Sequence, residues 1–193
     1  KSGIASSYHQ IGNVHYDKGN YREAIEHYQQ SLKINNDLGN KSGIARSLGQ
    51  LGNILYKQGS YSEAAKLCEE CLRSFKDLGD KSGASGALHL LGLIRQSQGN
   101  CSEAVKIYEE NLLSFKNLGD KSGIASTLRQ IGRIKEENKD FEGALGDYLI
   151  SLSLFEELRD PNREIVKEDI ARLRGTMGEE AFQSAVTKLG GSQ

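Results

Sequence analysis

Tryptophan does not occur in this chain, and proline occurs once, at Pro161. With a single proline there is no proline-rich linker to divide the sequence. Charge of neither sign is in excess, since 25 Lys and Arg stand against 26 Asp and Glu. That balance removes the general electrostatic case for a nucleic-acid partner, which needs a clearly basic face. No apolar run approaches the ~18 residues of a membrane span and no hydrophobic leader opens the sequence, so no membrane partner is expected. Three cysteines in 193 residues do not make a disulfide framework. A reducing compartment, the cytoplasm, is the expected setting.

What is present is glycine, 22 residues of it, and a composition of 37% hydrophobic and 26% charged residues. That is too apolar, and too regularly patterned, for a disordered chain. The glycines recur inside a phrase. LGDKSGIA stands at Leu118–Ala125, LGDKSGA at Leu78–Ala84, LGNKSGIA at Leu38–Ala45 and KSGIA at Lys1–Ala5. Aligned without gaps, residues 1–40, 41–80, 81–120 and 121–160 superpose Gly12, Gly52, Gly92 and Gly132. The same alignment superposes Ala24, Ala64, Ala104 and Ala144, and Leu32, Leu72, Leu112 and Leu152. Self-similarity at a fixed period of this length marks a repeat architecture. The chain opens partway through the phrase, which reads as a piece cut from a longer protein.

Within each unit the apolar spacing is helical. Ile4, Tyr8, Ile11 and His15 fall on one face of a first helix. KGNY, QGSY, QGNC and NKDF then interrupt it. A glycine there suits the left-handed residue that ends a helix, and the Asn, Ser or Asp after it suits the N-cap of the next. A second helix follows with Tyr21, Ala24, Ile25, Tyr28, Leu32 and Leu38. It ends at LGN or LGD, so Gly39, Gly79 and Gly119 are expected helix stops, and Asn40, Asp80 and Asp120 expected N-caps. The repeated phrase is therefore an inter-repeat turn and not a phosphate loop, which would follow a strand. A glycine inside a helix costs about 1 kcal/mol. Four in register imply close helix contact, for which Gly12 and Ala24 are suited.

These residues resemble the tetratricopeptide repeat. The match runs through Tyr8, Ile11, Gly12, Gly19, Tyr21, Ala24, Tyr28 and Leu32 in the first unit. It continues through Leu48, Leu51, Gly52, Gly59, Tyr61, Ala64 and Leu72, then Leu88, Leu91, Gly92, Gly99, Ala104, Tyr108 and Leu112. The fourth unit supplies Leu128, Ile131, Gly132, Phe141, Ala144, Tyr148 and Leu152. The units here are longer than the family's usual ~34 residues and lack its closing proline. Asn36, Lys76, Lys116 and Glu156 stand in that place. In this the chain is similar to the long-repeat branch of kinesin light chains, spindle-orientation adaptors and prokaryotic regulatory proteins. The resemblance implies an all-α fold, a right-handed α-solenoid of four helix-turn-helix repeats.

After residue 160 the pattern changes. Asp160–Pro161 starts a helix, with Ile165, Val166, Ile170 and Leu173 as an apolar stripe. Gly175–Gly178 is expected to break it, and a short last helix follows. Residues 161–189 read as a cap over the final repeat, and residues 190–193 as a disordered tail.

Few residues suggest chemistry. Cys68 and Cys71 form a CxxC, but Cys68 falls in the slot of Tyr28, Tyr108 and Tyr148, and Cys71 in that of Ser31, Asn111 and Ser151. Both slots face the hairpin interior, where free cysteine acts as a small hydrophobe. A zinc site needs four ligands, and no second Cys/His pair lies in register. Cys101 takes the packing slot of Tyr21, Tyr61 and Phe141. His15 is expected on the core side and His27 on a second-helix surface. The acidic pairs Glu69–Glu70, Glu109–Glu110 and Glu156–Glu157 fall on solvated arcs. No Ser or Cys with His and an acid forms a nucleophilic set. No enzyme, metal or cofactor is expected.

The informative surface is the polar arc of the first helices. At ~100° per residue, His9, Asn13 and Tyr16 lie together, away from the Tyr8 and Ile11 face. Their equivalents are Gly49, Asn53 and Tyr56, then His89, Leu93 and Gln96, then Arg129, Arg133 and Glu136. Arg46 stands one slot earlier in the second unit. In tetratricopeptide solenoids these slots line a concave groove that holds peptides. The expected binding residues are therefore His9, Asn13, Tyr16, Arg46, Asn53, Tyr56, His89, Gln96, Arg129 and Arg133. Asn can pin an extended peptide backbone, and Arg can take carboxylates. The expected partner is a protein or peptide segment of acidic character, and the expected function a non-catalytic interaction scaffold. A regulatory or sensor module of a larger signalling protein is the second reading. Ile4, Ile11 and Val14 would also leave the first hairpin open to self-association.

Overall fold

The computed structural model describes residues 2–190. Ten α-helices follow in order: α1 (Ser2–Asp17), α2 (Tyr21–Asp37), α3 (Lys41–Lys57), α4 (Tyr61–Asp77), α5 (Lys81–Ser97), α6 (Cys101–Leu118), α7 (Lys121–Glu137), α8 (Phe141–Glu157), α9 (Asn162–Met177) and α10 (Glu179–Gly190). No strand occurs among the described residues. The fold is an all-α repeat solenoid. Two compact units are distinguished, residues 1–104 and residues 105–193, with the boundary inside α6.

The turn residues explain why the helices stop where they do. Gly79 has φ +67° and Gly119 φ +69°, the left-handed conformation that glycine adopts without a Cβ clash. In the fourth repeat Lys139 and Arg159 take that position at φ 65° and 54°, a conformation that costs a side-chain-bearing residue about 1–2 kcal/mol. Asp80 Oδ1 accepts from Gly83 N at 2.8 Å and Asp120 Oδ1 from Gly123 N at 2.8 Å, while Asn40 Oδ1 accepts from Gly43 N at 3.2 Å. Asp140 does the same for Gly143 N at 3.0 Å. Asn20 and Ser60, expected as caps, make no side-chain capping hydrogen bond. The short turns ahead of them are closed by backbone bonds alone, as in Asn20 N to His15 O and Ser60 N to Leu55 O, both at 2.9 Å.

In the first unit, the first hairpin is closed by a second-helix ring against a first-helix glycine. Tyr28 is fully buried, and its ring lies on Gly12: a Cβ added there would stand 2.6 Å from Tyr28 Cε1. The second hairpin differs. Cys68 replaces the tyrosine, and a Cβ on Gly52 would meet only ordinary contacts, Ala64 O at 3.5 Å and Leu67 Cβ at 3.6 Å.

Successive repeats are joined by a second rule that the sequence alone did not disclose. The Phe75 ring at the end of α4 lies on Gly83 at the start of α5, where an added Cβ would be 2.5 Å away. Asn35 packs on Gly43 in the same way. So the glycine of KSG admits the last large side chain of the preceding repeat. Further along, Ile54 of α3 closes on Ala24 and Tyr28 of α2, with Leu51 beside it.

The second unit repeats both rules. Tyr148 lies on Gly132, with Cε1 2.8 Å from an added Cβ, and Phe115 lies on Gly123 at 2.5 Å. Its core gathers Leu145, Tyr148 and Phe155 with Val166 and Leu173 of α9 and Phe182 and Ala185 of α10. Of the expected α9 stripe, Ile165 points outward and a buried Asp169 stands inward instead. Gly175 lies within α9 and does not break it; the break is at Gly178, φ +81°. α10 runs through Gly190. The rest of the expected disordered tail, residues 191–193, lies outside the described residues.

Candidate functional site

The first-helix arc of the first unit opens onto two cavities. One, of about 350 Å³, is lined by Ser6, His9, Gln10, Asn13 and Arg46, with Ser31, Asn35 and Asn40 at its base. The other, of about 430 Å³, shares His9 and Arg46 and adds Asn53, His89, Leu90 and Leu93, with Cys71, Phe75 and Ala87. Five of the expected residues, His9, Asn13, Arg46, Asn53 and His89, are thus brought together. Neither lining contains an aspartate or glutamate.

The electrostatics follow from that lining. Arg46 is exposed and forms no ion pair with a carboxylate among the described residues. Its charge acts on His9, and burial and then that charge hold the imidazole below the usual histidine range. Burial lowers His89 as well. Near neutral pH both imidazoles are uncharged hydrogen-bonding groups beside a cation. The His9 ring rests on Tyr28 at a centroid distance of 5.3 Å.

Asn13 is held from behind. The Tyr28 hydroxyl donates to Asn13 Oδ1 at 2.7 Å. Burial, with Tyr16 and Asp17 nearby, pushes that hydroxyl up to about 12, so it stays a donor at physiological pH. The Asn13 carbonyl is therefore engaged and its Nδ2 is left as the donor.

The two cavity floors differ in chemistry. Under the first, Asn40 Nδ2 donates to Asn35 Oδ1 at 2.8 Å and Asn35 Nδ2 to Ser31 Oγ at 3.2 Å. Ser31 Oγ donates to Ala5 O at 2.9 Å, and Ser47 Oγ reaches Ser31 Oγ at 3.3 Å. The Ser31 slot was expected to face the hairpin interior, but the chain of bonds was not legible in the sequence, because its members come from different helices and the turn between them. Under the second cavity the floor is Phe75 with the buried Cys71. Cys68 Sγ donates to Ala87 O at 3.0 Å, and Cys71 Sγ to Cys68 O at 3.2 Å. The neighbouring Cys71 sulfur and burial hold the Cys68 thiol well above the ordinary range, which leaves it without thiolate character.

The remaining expected residues stand elsewhere. Tyr16 and Tyr56 line neither cavity. They pack at the hairpin turns against Tyr21 at 5.7 Å and Tyr61 at 5.9 Å between ring centroids. Lys57 Nζ lies 5.7 Å above the Tyr16 ring, a cation–π contact. Gln96 also lines neither cavity. His27, expected on a surface, is half-buried and stacks on His15 at 5.2 Å.

Arg129 and Arg133 belong to the second unit and line a cavity of about 790 Å³ with Glu136, Phe141, Asp169 and Arg172. Arg129 Nε donates to the buried Asp169 of α9 at 2.5 Å. Arg172 bridges Asp169 at 2.7 Å and Glu136 at 2.9 Å, and Tyr148 donates to Glu136 at 2.7 Å. Hydrogen bonding from Arg172 is the main cause of the lowered Glu136 carboxyl. Arg129 is thus tied to the capping helix, whereas Arg133 has no such bond. Among the described residues no group of three or more His, Cys, Asp or Glu side chains could hold a metal ion, and no helix is long and apolar enough to cross a membrane.

Helical hairpins at a fixed 40-residue period, the first and fourth closed by Tyr28 on Gly12 and Tyr148 on Gly132, define a hairpin-repeat solenoid. The chain belongs to the tetratricopeptide repeat family, whose sequence profile matches residues 3–77 and 83–157. No curated protein sequence matches it. Among solved structures it is similar to the nearly identical TPR-like repeats of a putative kinesin light chain from Podosopora anserina. There the identity is 16%, the TM-score 0.74, and the match covers 99% of this chain and 95% of that one. It is also similar to the apo form of RapI, at 13% identity and TM-score 0.77, covering 93% of this chain and 50% of that one. Aspartyl phosphate phosphatase F from Bacillus subtilis matches at 10% identity and TM-score 0.83, over 98% of this chain and 49% of that one. The chain therefore spans about half the length of these last two proteins. At such identities the likeness is one of fold.

Proposed function

We propose that this chain is a non-catalytic, cytoplasmic protein–protein interaction scaffold. It binds an extended or helical segment of a partner on the first-helix face of residues 1–104. The observation that carries this reading is the pair of adjoining cavities around Arg46, which hold hydrogen-bonding side chains and no carboxylate. A partner segment with acidic character would meet Arg46 and the Asn13 amide without a like charge nearby. An apolar side chain of the segment would meet Leu90, Leu93 and Phe75. In the second unit Arg133 is the corresponding contact, while Arg129 serves chiefly to hold α9. Tyr16, Tyr56 and Gln96 contribute at the rim.

Peptides selected against the chain from a random display library test this. Acidic residues should be enriched among the selected sequences. Arg46→Glu should weaken the selected peptides at least about tenfold while circular dichroism stays unchanged. Neutral or basic selections, or equal affinity for Arg46→Glu, would count against it.

The second reading, a regulatory or sensor module of a larger signalling protein, is favoured by one observation. The chain covers only about half of two proteins that share its fold. Both readings use the same face.

A further inference from the structure

Two glycines of the first unit stand where neither a turn nor a neighbouring side chain requires one. Gly49 lies inside α3 and Gly86 inside α5, where glycine weakens a helix. Neither has a positive φ. At Gly12, Gly43 and Gly83 a large side chain occupies the place of the missing Cβ. At Gly49 an added Cβ would meet only Cys71 Sγ, at an ordinary 3.7 Å, and at Gly86 it would meet nothing within 4 Å. Both glycines line the cavity of about 430 Å³ over Phe75.

The repeat register shows what they remove. The slot of Gly49 holds His9, His89 and Arg129 in the other repeats, and the slot of Gly86 holds Ser6, Arg46 and Ser126. The second and third repeats thus each withhold one polar side chain from the same cavity. What is uncovered is apolar. Cys71, Phe75 and Ala87 are buried, and Leu90 and Leu93 are half-buried beside them. The Cys71 thiol already donates to Cys68 O, and no charged side chain belongs to this floor.

We propose that Gly49 and Gly86 set the specificity of the Arg46 face: the space they leave admits one large apolar side chain of the partner segment, leucine-sized or larger. This rests on the reading of that face as the partner site and names what it selects besides charge. Arg46, which lines the same cavity, gives the charge complementarity that brings an acidic segment there. Phe75, Leu90 and Leu93 then bury the anchor, as apolar pockets at the centre of interfaces do. The two glycines lower helix stability and keep the pocket open.

The test is a random peptide display selection run in parallel on the native chain and on Gly86→Leu, whose added side chain fills the pocket. Against the native chain one fixed position should be enriched in Leu, Met or Phe. Against Gly86→Leu that enrichment should vanish while acidic enrichment persists. Replacing the anchor of a selected peptide by Ala should weaken it about tenfold to a hundredfold on the native chain, read by fluorescence anisotropy. On Gly86→Leu the same replacement should change affinity by less than about threefold. Gly86→Ala should raise the thermal midpoint by about 2–4 °C, and Gly86→Leu should melt no lower than the native chain, which separates lost binding from lost folding. No fixed apolar position, or equal affinity of the selected peptides for Gly86→Leu, overturns the proposal. A fixed apolar position without acidic enrichment supports it and counts against the charge reading alone. A dimer of the native chain at about 100 µM that Gly86→Leu dissolves would place a second copy in the pocket and overturn it.

Discussion

The first and second repeats occupy the same positions with opposite chemistry. In the first, Tyr28 fills the hairpin and Asn35 ends the second helix in a chain of buried hydrogen bonds. In the second, Cys68 and Phe75 hold those positions, and the polar chain is gone. Both form the same hairpin. The repeat thus demands shape, a large group facing a glycine at one contact of each junction, and leaves polarity free to vary. That freedom produces two adjoining cavities with different floors, one polar and one apolar, under a single row of first-helix residues.

The contrast can be broken at its most loaded point. Phe75→Ala removes a buried ring and leaves a cavity over Gly83, and should cost about 3–5 kcal/mol of unfolding free energy. Asn35→Ala in the matching position removes a neutral hydrogen-bonded amide and should cost about 1–2 kcal/mol. Urea titrations of the two variants give the comparison directly; equal losses would show that the two floors are energetically alike.

The glycines sharpen it further. Gly12→Ala places a methyl against the Tyr28 ring, which is fully buried, and overpacking of that kind should destabilise by about 1–3 kcal/mol. Gly52→Ala meets no close neighbour and removes a helix-interior glycine, so it should stabilise by about 0.5–1 kcal/mol. Opposite signs from two substitutions in equivalent positions is the expected outcome in thermal or urea melts.

The smallest effect lies in the fourth repeat. Lys139→Gly and Arg159→Gly restore the residue that other repeats use at positive φ, and each should stabilise by about 1 kcal/mol or less, the left-handed strain relieved minus the extra freedom of glycine in the unfolded chain. Differential scanning calorimetry resolves shifts of this size as about 2–4 °C.

Much of this was legible in the sequence. The 40-residue register placed the hairpins, the left-handed glycine stops and the row of first-helix residues, because helical spacing and turn chemistry are local properties. The reason for the KSG glycine was not legible. Phe75 and Gly83 pair across a turn, and nothing in either helix alone reports the other. Tyr16 and Tyr56 share the angular position of Asn13 and Asn53 but stand one turn nearer the hairpin end, where Tyr21 and Tyr61 draw them into ring contacts. Arg129 read as a binding residue because its partner, the buried Asp169, lies 40 residues downstream. Asn20 and Ser60 had the residue type of a cap, but backbone bonds close those turns without them.

The proposal that a partner occupies the first-helix cavities is tested most directly by mapping where a display-selected peptide perturbs the backbone amide spectrum of the chain. Perturbation should centre on His9, Asn13, Arg46, Asn53 and His89 and be lost with Arg46→Glu. Perturbation confined to the second helices α2 and α4, with those five residues unmoved, would contradict it.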